Sequence, residues 1–333
     1  MTGRWCWIAG IALLCVRCGS APGVTPSSIG PQIACPANIE MRGIAGSAQA
    51  VTFPAPLVTS GAAPVATICS AASGDAFPLG TTTVNCAAAD AQARRASCSF
   101  TVTLTGLSLA AKKYDTIGDS LTEGENGRPS FLDLPNSYPM KLQGLFDAGY
   151  PGQGIQVINR GISGWPVERT VEELPGDLAA DRPDAVLILT GYNDLLNGCG
   201  TGPPDTSACR AAMQTVQFGV RDCIRRSRDF SVGYIFVSTL TPPGPVLPGA
   251  PRDRRIGSDA VAQTNNRIRQ VVAGEGATLV DPYPLFLGHE SEYIDSDGLH
   301  LRPAGYQLLA DTFFMSIKAT VPQTPLFLVG GGR

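Results

Sequence analysis

Four short segments hold residues whose types and spacing could carry acyl chemistry. They are Gly118-Asp119-Ser120-Leu-Thr-Glu-Gly124, Asn159-Arg160-Gly161-Ile-Ser-Gly164, Gly191-Tyr192-Asn193-Asp194 and Asp297-Gly-Leu-His300. Chemically these are a hydroxyl, a glycine amide, a carboxamide, a carboxylate and an imidazole, the parts needed for acyl transfer. A serine hydroxyl attacks a carbonyl poorly until a base takes its proton. His300 is suited to do so near neutral pH. Asp297, three residues earlier, is placed to accept the other ring N–H. The oxyanion of the tetrahedral intermediate needs preset donors. The Ser120 N–H, the Gly161 N–H and the Asn193 side chain are the expected ones, with Gly161 letting the backbone come close.

Each residue taken singly has a plainer reading. A serine is often a helix N-cap, and Asn193-Asp194 alone is an ordinary turn. The four segments together carry the chemical reading. His289 is the only other histidine; it lacks an aspartate three residues before it and reads as a surface-loop residue. Asp119 and Asp194 read as supporting hydrogen-bond acceptors, and Asn159 and Arg160 as residues that position a loop. Asp295-Ser-Asp297-Gly has a calcium-loop flavour, but no full set of oxygen ligands follows. There is no Gly-x-Ser-x-Gly elbow, no His-Glu-x-x-His and no lysine placed for a phosphate loop. Two histidines are too few for most zinc sites. No metal and no cofactor is therefore expected.

The elements that must hold these segments follow from the apolar pattern. From Lys113 onward, short apolar runs at Tyr114–Ile117, Ile155–Ile158, Ala185–Leu189, Val232–Val237 and Ala277–Val280 alternate with helical stretches. The helices are predicted near 137–148, 167–179, 207–228, 258–273 and 303–319. In the third of these, Met213, Val216, Val220, Cys223 and Ile224 share one face. Such alternation implies a parallel sheet of five strands covered on both sides. Sites in such sheets form at the carboxyl ends of the strands, where the four segments fall.

The N-terminal third has another grammar. Residues 31–106 read as short strands punctuated by Pro and Gly, with no useful helical stripe. In Cys98–Thr105 the residues Cys98, Phe100, Val102 and Leu104 alternate with polar ones, as a half-buried strand requires. A small β-sandwich is expected. Ahead of it, residues 21–30 read as a linker, and residues 1–20 as an export signal, with Arg4 followed by the apolar stretch Cys6–Val16. That stretch is too short to span a bilayer. Cys18 is a possible lipid-attachment site, disfavoured by Arg17 before it. Residues 321–333 read as a tail.

The chain has 333 residues, 44% hydrophobic and 16% charged, and a formal net charge of −3. That is no footprint for nucleic acid, which favours a basic patch. Seven cysteines lie beyond the signal region, and export permits them to form disulfides. Cys199 and Cys209 flank the Gly/Pro-rich stretch 200–205 and are expected to be bridged. Cys223, on the apolar helix face, is expected to be a buried free thiol.

Residues 113–320 resemble the SGNH hydrolases, or GDSL esterase/lipase superfamily. Its motif order is matched by Gly118–Leu121, Gly161, Gly191–Asp194 and Asp297–His300. The resemblance implies a three-layer α/β/α, flavodoxin-like fold and metal-free ester hydrolysis. It assigns Ser120 as nucleophile, His300 as base and Asp297 as its orienter, with Gly161 and Asn193 completing the oxyanion hole. Tyr192 stands at the family's variable position and is expected to touch substrate. Residues 31–106 resemble a hyalin repeat (HYR) module, through Cys35-Pro36, Val51–Pro54, Phe77–Cys86, Ala89-Asp90 and Cys98–Val102. This implies an immunoglobulin-like fold and an extracellular adhesive or spacer role. Four cysteines allow three pairings; Cys35–Cys98 with Cys69–Cys86 is favoured.

The expected protein is thus an exported serine esterase, secreted, periplasmic or at the cell surface. A short acyl chain on a carbohydrate is the first choice of substrate. A lysophospholipid, aryl ester or thioester is the alternative, and a catalytically silent extracellular binding protein is the rival from another class.

Overall fold

In a computed structural model, which describes residues 29–43, 48–127, 132–248 and 253–326, the N-terminal region is built of strands. In chain order these are β1 (Gln32–Ala34), β2 (Ile39–Arg42), β3 (Gln49–Ala50), β4 (Leu57–Ser60), β5 (Ala66–Cys69), β6 (Ala76–Phe77), β7 (Gly80–Ala89) and β8 (Arg95–Leu109). Alternation explains the long ones. In β7, Val84, Cys86 and Ala88 are buried while Thr83, Asn85 and Ala87 face out; in β8, Phe100, Val102 and Leu104 are buried between threonines. The export signal, Cys18, most of the linker and residues 327–333 lie outside the described residues.

The chain divides into two compact units. One comprises the described residues up to Asn38 with Thr52–Ser73 and Thr83–Thr101; the other takes Ile39–Val51, Gly74–Thr82 and everything from Val102. In the first, β1 pairs antiparallel with β4, and β5 with β7. Cys69 lies directly opposite Cys86 in that ladder, and the two are bonded. Cys35 is bonded to Cys98, and Phe53 meets Phe100 edge-on with centroids 5.0 Å apart. Asp90 closes a turn, its carboxylate accepting from the backbone N–H groups of Ala62, Gln92 and Arg94 and from the Arg94 guanidinium.

The second unit carries the parallel sheet. Its elements continue as β9 (Lys113–Gly118), α1 (Ser120–Glu123), α2 (Tyr138–Gly149), β10 (Gln156–Gly161), α3 (Val167–Asp181), β11 (Ala185–Leu189), α4 (Tyr192–Gly198), α5 (Ser207–Asp229), β12 (Tyr234–Ser238), α6 (Ser258–Glu275), β13 (Thr278–Val280), α7 (Tyr283–Phe286), α8 (Glu290–Tyr293), α9 (Pro303–Thr320) and β14 (Gln323–Leu326). The five sheet strands run in the order β10-β9-β11-β12-β13, all parallel. β11 is buried throughout, as a strand covered on both faces must be. Helix α2 packs with α9; α3 packs with α5, and α5 with α6. Stacked pairs Tyr114–Phe146 and Tyr138–Phe313 fill the core beside α2.

Two boundaries differ from the sequence expectation. β8 runs to Leu109 because β14, in the segment expected to be a tail, pairs antiparallel with Gly106–Leu109. β10 runs to Gly161 because its parallel register with β9 extends to Gly161 opposite Gly118. Asn159 and Arg160 are therefore strand residues, and the loop proper begins at Ile162. The chain leaves β9 for β10 on one side and returns across it to β11 on the other. That reversal opens a crevice at the carboxyl ends of these three strands.

Candidate active site

Ser120 sits at the mouth of that crevice, at the first position of α1. Asp119 precedes it with extended backbone and caps the helix, its carboxylate accepting from the Leu121 N–H at 3.1 Å. Such a cap typically contributes about 1 kcal/mol. As the first helical residue, Ser120 has an N–H with no intrahelical acceptor. Its hydroxyl Oγ lies 2.9 Å from His300 Nε2.

His300 is fixed from its other side. Its Nδ1 lies 2.6 Å from Asp297 Oδ2. The second oxygen, Oδ1, accepts from the Leu299 and His300 backbone N–H groups at 3.1 and 3.0 Å. Burial pushes the Asp297 carboxyl up, but the His300 hydrogen bond and charge with the two backbone donors outweigh it and hold it below the usual carboxylate range. Ser120, Asp297 and His300 are all buried. His289, by contrast, is exposed and lies 3.5 Å from Glu292.

The donors around Ser120 correct one expectation. The Gly161 N–H is committed to Asn159 Oδ1 at 2.9 Å, so it does not point at a substrate oxygen. Gly161 has a packing role: a Cβ there would meet the Glu123 backbone N at 2.2 Å, so only glycine lets β10 lie against α1. The next amides are committed too. Ile162 N donates to the Gly118 carbonyl, Ser163 N to Glu123 Oε2 at 2.6 Å, and Trp165 N to the Ile162 carbonyl. Between 161 and 165 this leaves the Gly164 N–H as the one without an acceptor among the described residues. Gly164 is exposed, with φ +83°. On the far side, Asn193 Nδ2 donates to the Trp165 carbonyl at 3.0 Å. A carboxamide nitrogen has two hydrogens, so one stays available.

Tyr192 requires a second correction. It is buried rather than turned to substrate, and its hydroxyl is bonded to Thr241 Oγ1 at 2.9 Å and to the Thr241 backbone N–H. It holds the start of α4 to the loop after β12. Asp194 Oδ2 accepts from Val167 N at 2.9 Å and so joins α4 to the start of α3. Burial raises the carboxyls of Asp119 to about 7 and of Asp194 to about 6. Asn159 bridges β10 and α1, with Nδ2 donating to the Glu123 carbonyl at 3.1 Å. Arg160 pairs with Asp181 of α3 at 2.6 Å.

Three residues were not marked by sequence reasoning. Glu123 secures the loop through Ser163. Gly164 stands three residues beyond the glycine expected to donate. Glu125 brings Oε2 to 3.5 Å from His300 Nε2. All three lie within or beside the matched segments, but nothing in their spacing distinguishes them from loop residues. Elsewhere in this unit Cys199 is bonded to Cys209, and Cys223 is a buried free thiol. Among the described residues no helix is long and apolar enough to cross a membrane.

Residues 28–104 match the model of the HYR domain. An acetylxylan esterase of Geobacillus stearothermophilus is 27% identical over 216 residues, covering 62% of this chain and 94% of that protein. A crystal structure of an acetylxylan esterase from the same organism aligns with a TM-score of 0.48 and 24% identity, over 62% of this chain and 94% of its own. That of a lipase/acylhydrolase from Enterococcus faecalis aligns at 0.47 and 19%, over 63% and 97%. Residues 116–308, more than half of the chain, match the model of the GDSL-like Lipase/Acylhydrolase family, and the chain belongs to that family.

Proposed function

We propose that the protein is an exported serine esterase that removes short acyl groups, acetyl above all, from carbohydrate hydroxyls. The observation that carries the reading is the connected series Asp297–His300–Ser120, at 2.6 and 2.9 Å. In the first half-reaction Ser120 Oγ attacks the ester carbonyl carbon while His300 Nε2 takes its proton. Asp297 keeps the Nδ1–H tautomer and stabilises the imidazolium that forms. The carbonyl oxygen becomes an oxyanion, met by the Ser120 N–H, the Gly164 N–H and the free Asn193 hydrogen. The C–O bond to the alcohol breaks and His300 returns the proton to the departing oxygen. Water then repeats the sequence on the acyl-enzyme.

The acyl preference rests on the acetylxylan esterase among the relatives. Export is supported by three disulfides, which form and persist in oxidising compartments. The N-terminal strands suit a spacer or a surface contact outside the cell.

The test is hydrolysis of p-nitrophenyl acetate, a series of longer acyl chains and acetylated xylo-oligosaccharides by wild type and Ser120→Ala. The expected result is a preference for acetyl and a loss of at least about a thousandfold in the variant. Equal rates for the two proteins, or no turnover of any ester by the wild type, would overturn the reading and favour a silent binding protein.

A further inference from the structure

Asn193, the proposed oxyanion donor, is the second residue of α4, a helix of seven residues. A helix that short does not hold itself in place, so its position is set by what it is tied to. Gly191 before it offers no side-chain cap. Tyr192 supplies a tie instead. Its side chain is buried, and its hydroxyl meets Thr241 twice: Oγ1 lies at 2.9 Å, and the Thr241 backbone N–H donates to the phenol oxygen. Thr241 follows β12, the neighbour of β11 in the sheet, so this contact joins the loops that leave two adjacent strands.

The Thr241 loop is itself anchored. Asn265 of α6, fully buried, accepts the Leu240 N–H on Oδ1 at 2.8 Å and donates Nδ2 to the Leu240 carbonyl at 2.9 Å. One carboxamide thus pairs both backbone groups of a residue, as an adjacent strand would. The Thr239 N–H donates to the Val280 carbonyl at 2.9 Å, and its hydroxyl to Asp281 Oδ1 at 2.7 Å. A continuous series therefore runs from Asn265 through Leu240 and Thr241 to Tyr192, one residue from Asn193, and every member of it is buried. Buried polar groups cost stability unless they are paired, and a phenylalanine at 192 would fill nearly the same volume. What the paired hydroxyl adds is direction: it fixes where the first turn of α4 lies. A preset donor works only close to the place where the oxyanion forms, and a misplacement of about 1 Å can cost on the order of a hundredfold.

Resting on the esterase reading above, we propose that Tyr192 and Thr241 are positioning residues of the oxyanion hole: their contact, braced by Asn265, holds the Asn193 carboxamide where the oxyanion forms. Neither touches substrate. Breaking the contact displaces a donor that matters in the transition state, so it lowers turnover and leaves ground-state binding alone.

The experiment is a double-variant cycle on p-nitrophenyl acetate. Tyr192→Phe keeps the ring and removes the hydroxyl. It is expected to lower kcat roughly ten- to a hundredfold, with KM unchanged within about twofold. In an Asn193→Ala background the same change is expected to cost less than about threefold further, because the donor it positions is gone. Thr241→Val removes Oγ1 but keeps the backbone donor. It is expected to lose a smaller part of kcat, which Thr241→Ser restores. A purely structural fault slows both backgrounds alike, so an equal loss with and without Asn193 overturns the proposal and leaves the esterase reading standing. A Tyr192→Phe enzyme with wild-type kcat, or one altered in KM alone, does the same, as does a Thr241→Ser enzyme as slow as Thr241→Val. Asn193→Ala at wild-type kcat removes the donor role and the proposal together. Wild type inactive on the ester, or matched by Ser120→Ala, overturns the esterase reading and this proposal with it.

Discussion

Gly161 donates its backbone N–H to the side-chain oxygen of Asn159, two residues earlier in the same strand, at 2.9 Å. The same carboxamide donates to the Glu123 carbonyl. Asn159 thus ties the end of β10 to the helix that begins with Ser120, and among the described residues between 161 and 165 the Gly164 N–H is the one left open.

This separates two substitutions that the motif alone would group together. Gly161→Ala drives a Cβ into the Glu123 and Thr122 backbone. It is expected to lower both the thermal midpoint and activity, because α1 must move. Asn193→Ala removes a side-chain donor and is expected to lower kcat on the order of a hundred- to a thousandfold. Its effect on stability is that of one lost hydrogen bond, about 1 kcal/mol. Thermal unfolding beside p-nitrophenyl acetate kinetics checks the pair. A Gly161→Ala protein with the wild-type midpoint would count against the packing role of Gly161.

Asp297→Asn keeps the size of the side chain and an oxygen for the Leu299 and His300 amides. It cannot hold the His300 proton on Nδ1 as a carboxylate does. The ring is then free to carry its proton on Nε2, facing Ser120, where it cannot act as base. The expected loss in kcat is on the order of a thousand- to ten-thousandfold. A loss below about tenfold would remove Asp297 from the mechanism.

Asp115 links stability to pH. It is buried on β9 and feels the charges of Asp181 and Asp177 of α3 and of Arg160 of β10. Burial first, and the Asp181 charge second, raise its carboxyl from the ordinary 3.8 to about 7. The folded chain therefore holds a proton that the unfolded chain releases over this window. The associated stability is fully present below the unfolded value and is lost as pH rises through about 7. Asp119 and Asp194 act with the same sign; Asp297, held low, acts with the opposite sign on the acid side. Between pH 5 and pH 8, Asp115→Asn is expected to lose fewer degrees of thermal midpoint than wild type. Parallel curves for the two proteins would count against the assignment.

Much of the molecule was legible before any coordinates. The five apolar runs, the helical face of α5 and the alternation in β8 are short-range patterns, and each became the element it implied. Asp297 and His300 are three residues apart in one turn, so their pairing is a local matter that spacing alone indicates. The class of reaction followed from those residue types. The distances between segments were another matter. Which glycine amide stays open depends on how α1 packs on β10. Tyr192 faces Thr241 instead of substrate because α4 begins at Tyr192 and turns its side chain inward. Glu125 reaches His300 only because Tyr306, on α9, fixes its carbonyl from across the chain. Periodicity records which face of an element is buried. It does not record how strand register and helix packing set one element against another, and shifts of a few ångströms there decide which amide is open and which carboxylate borders the base.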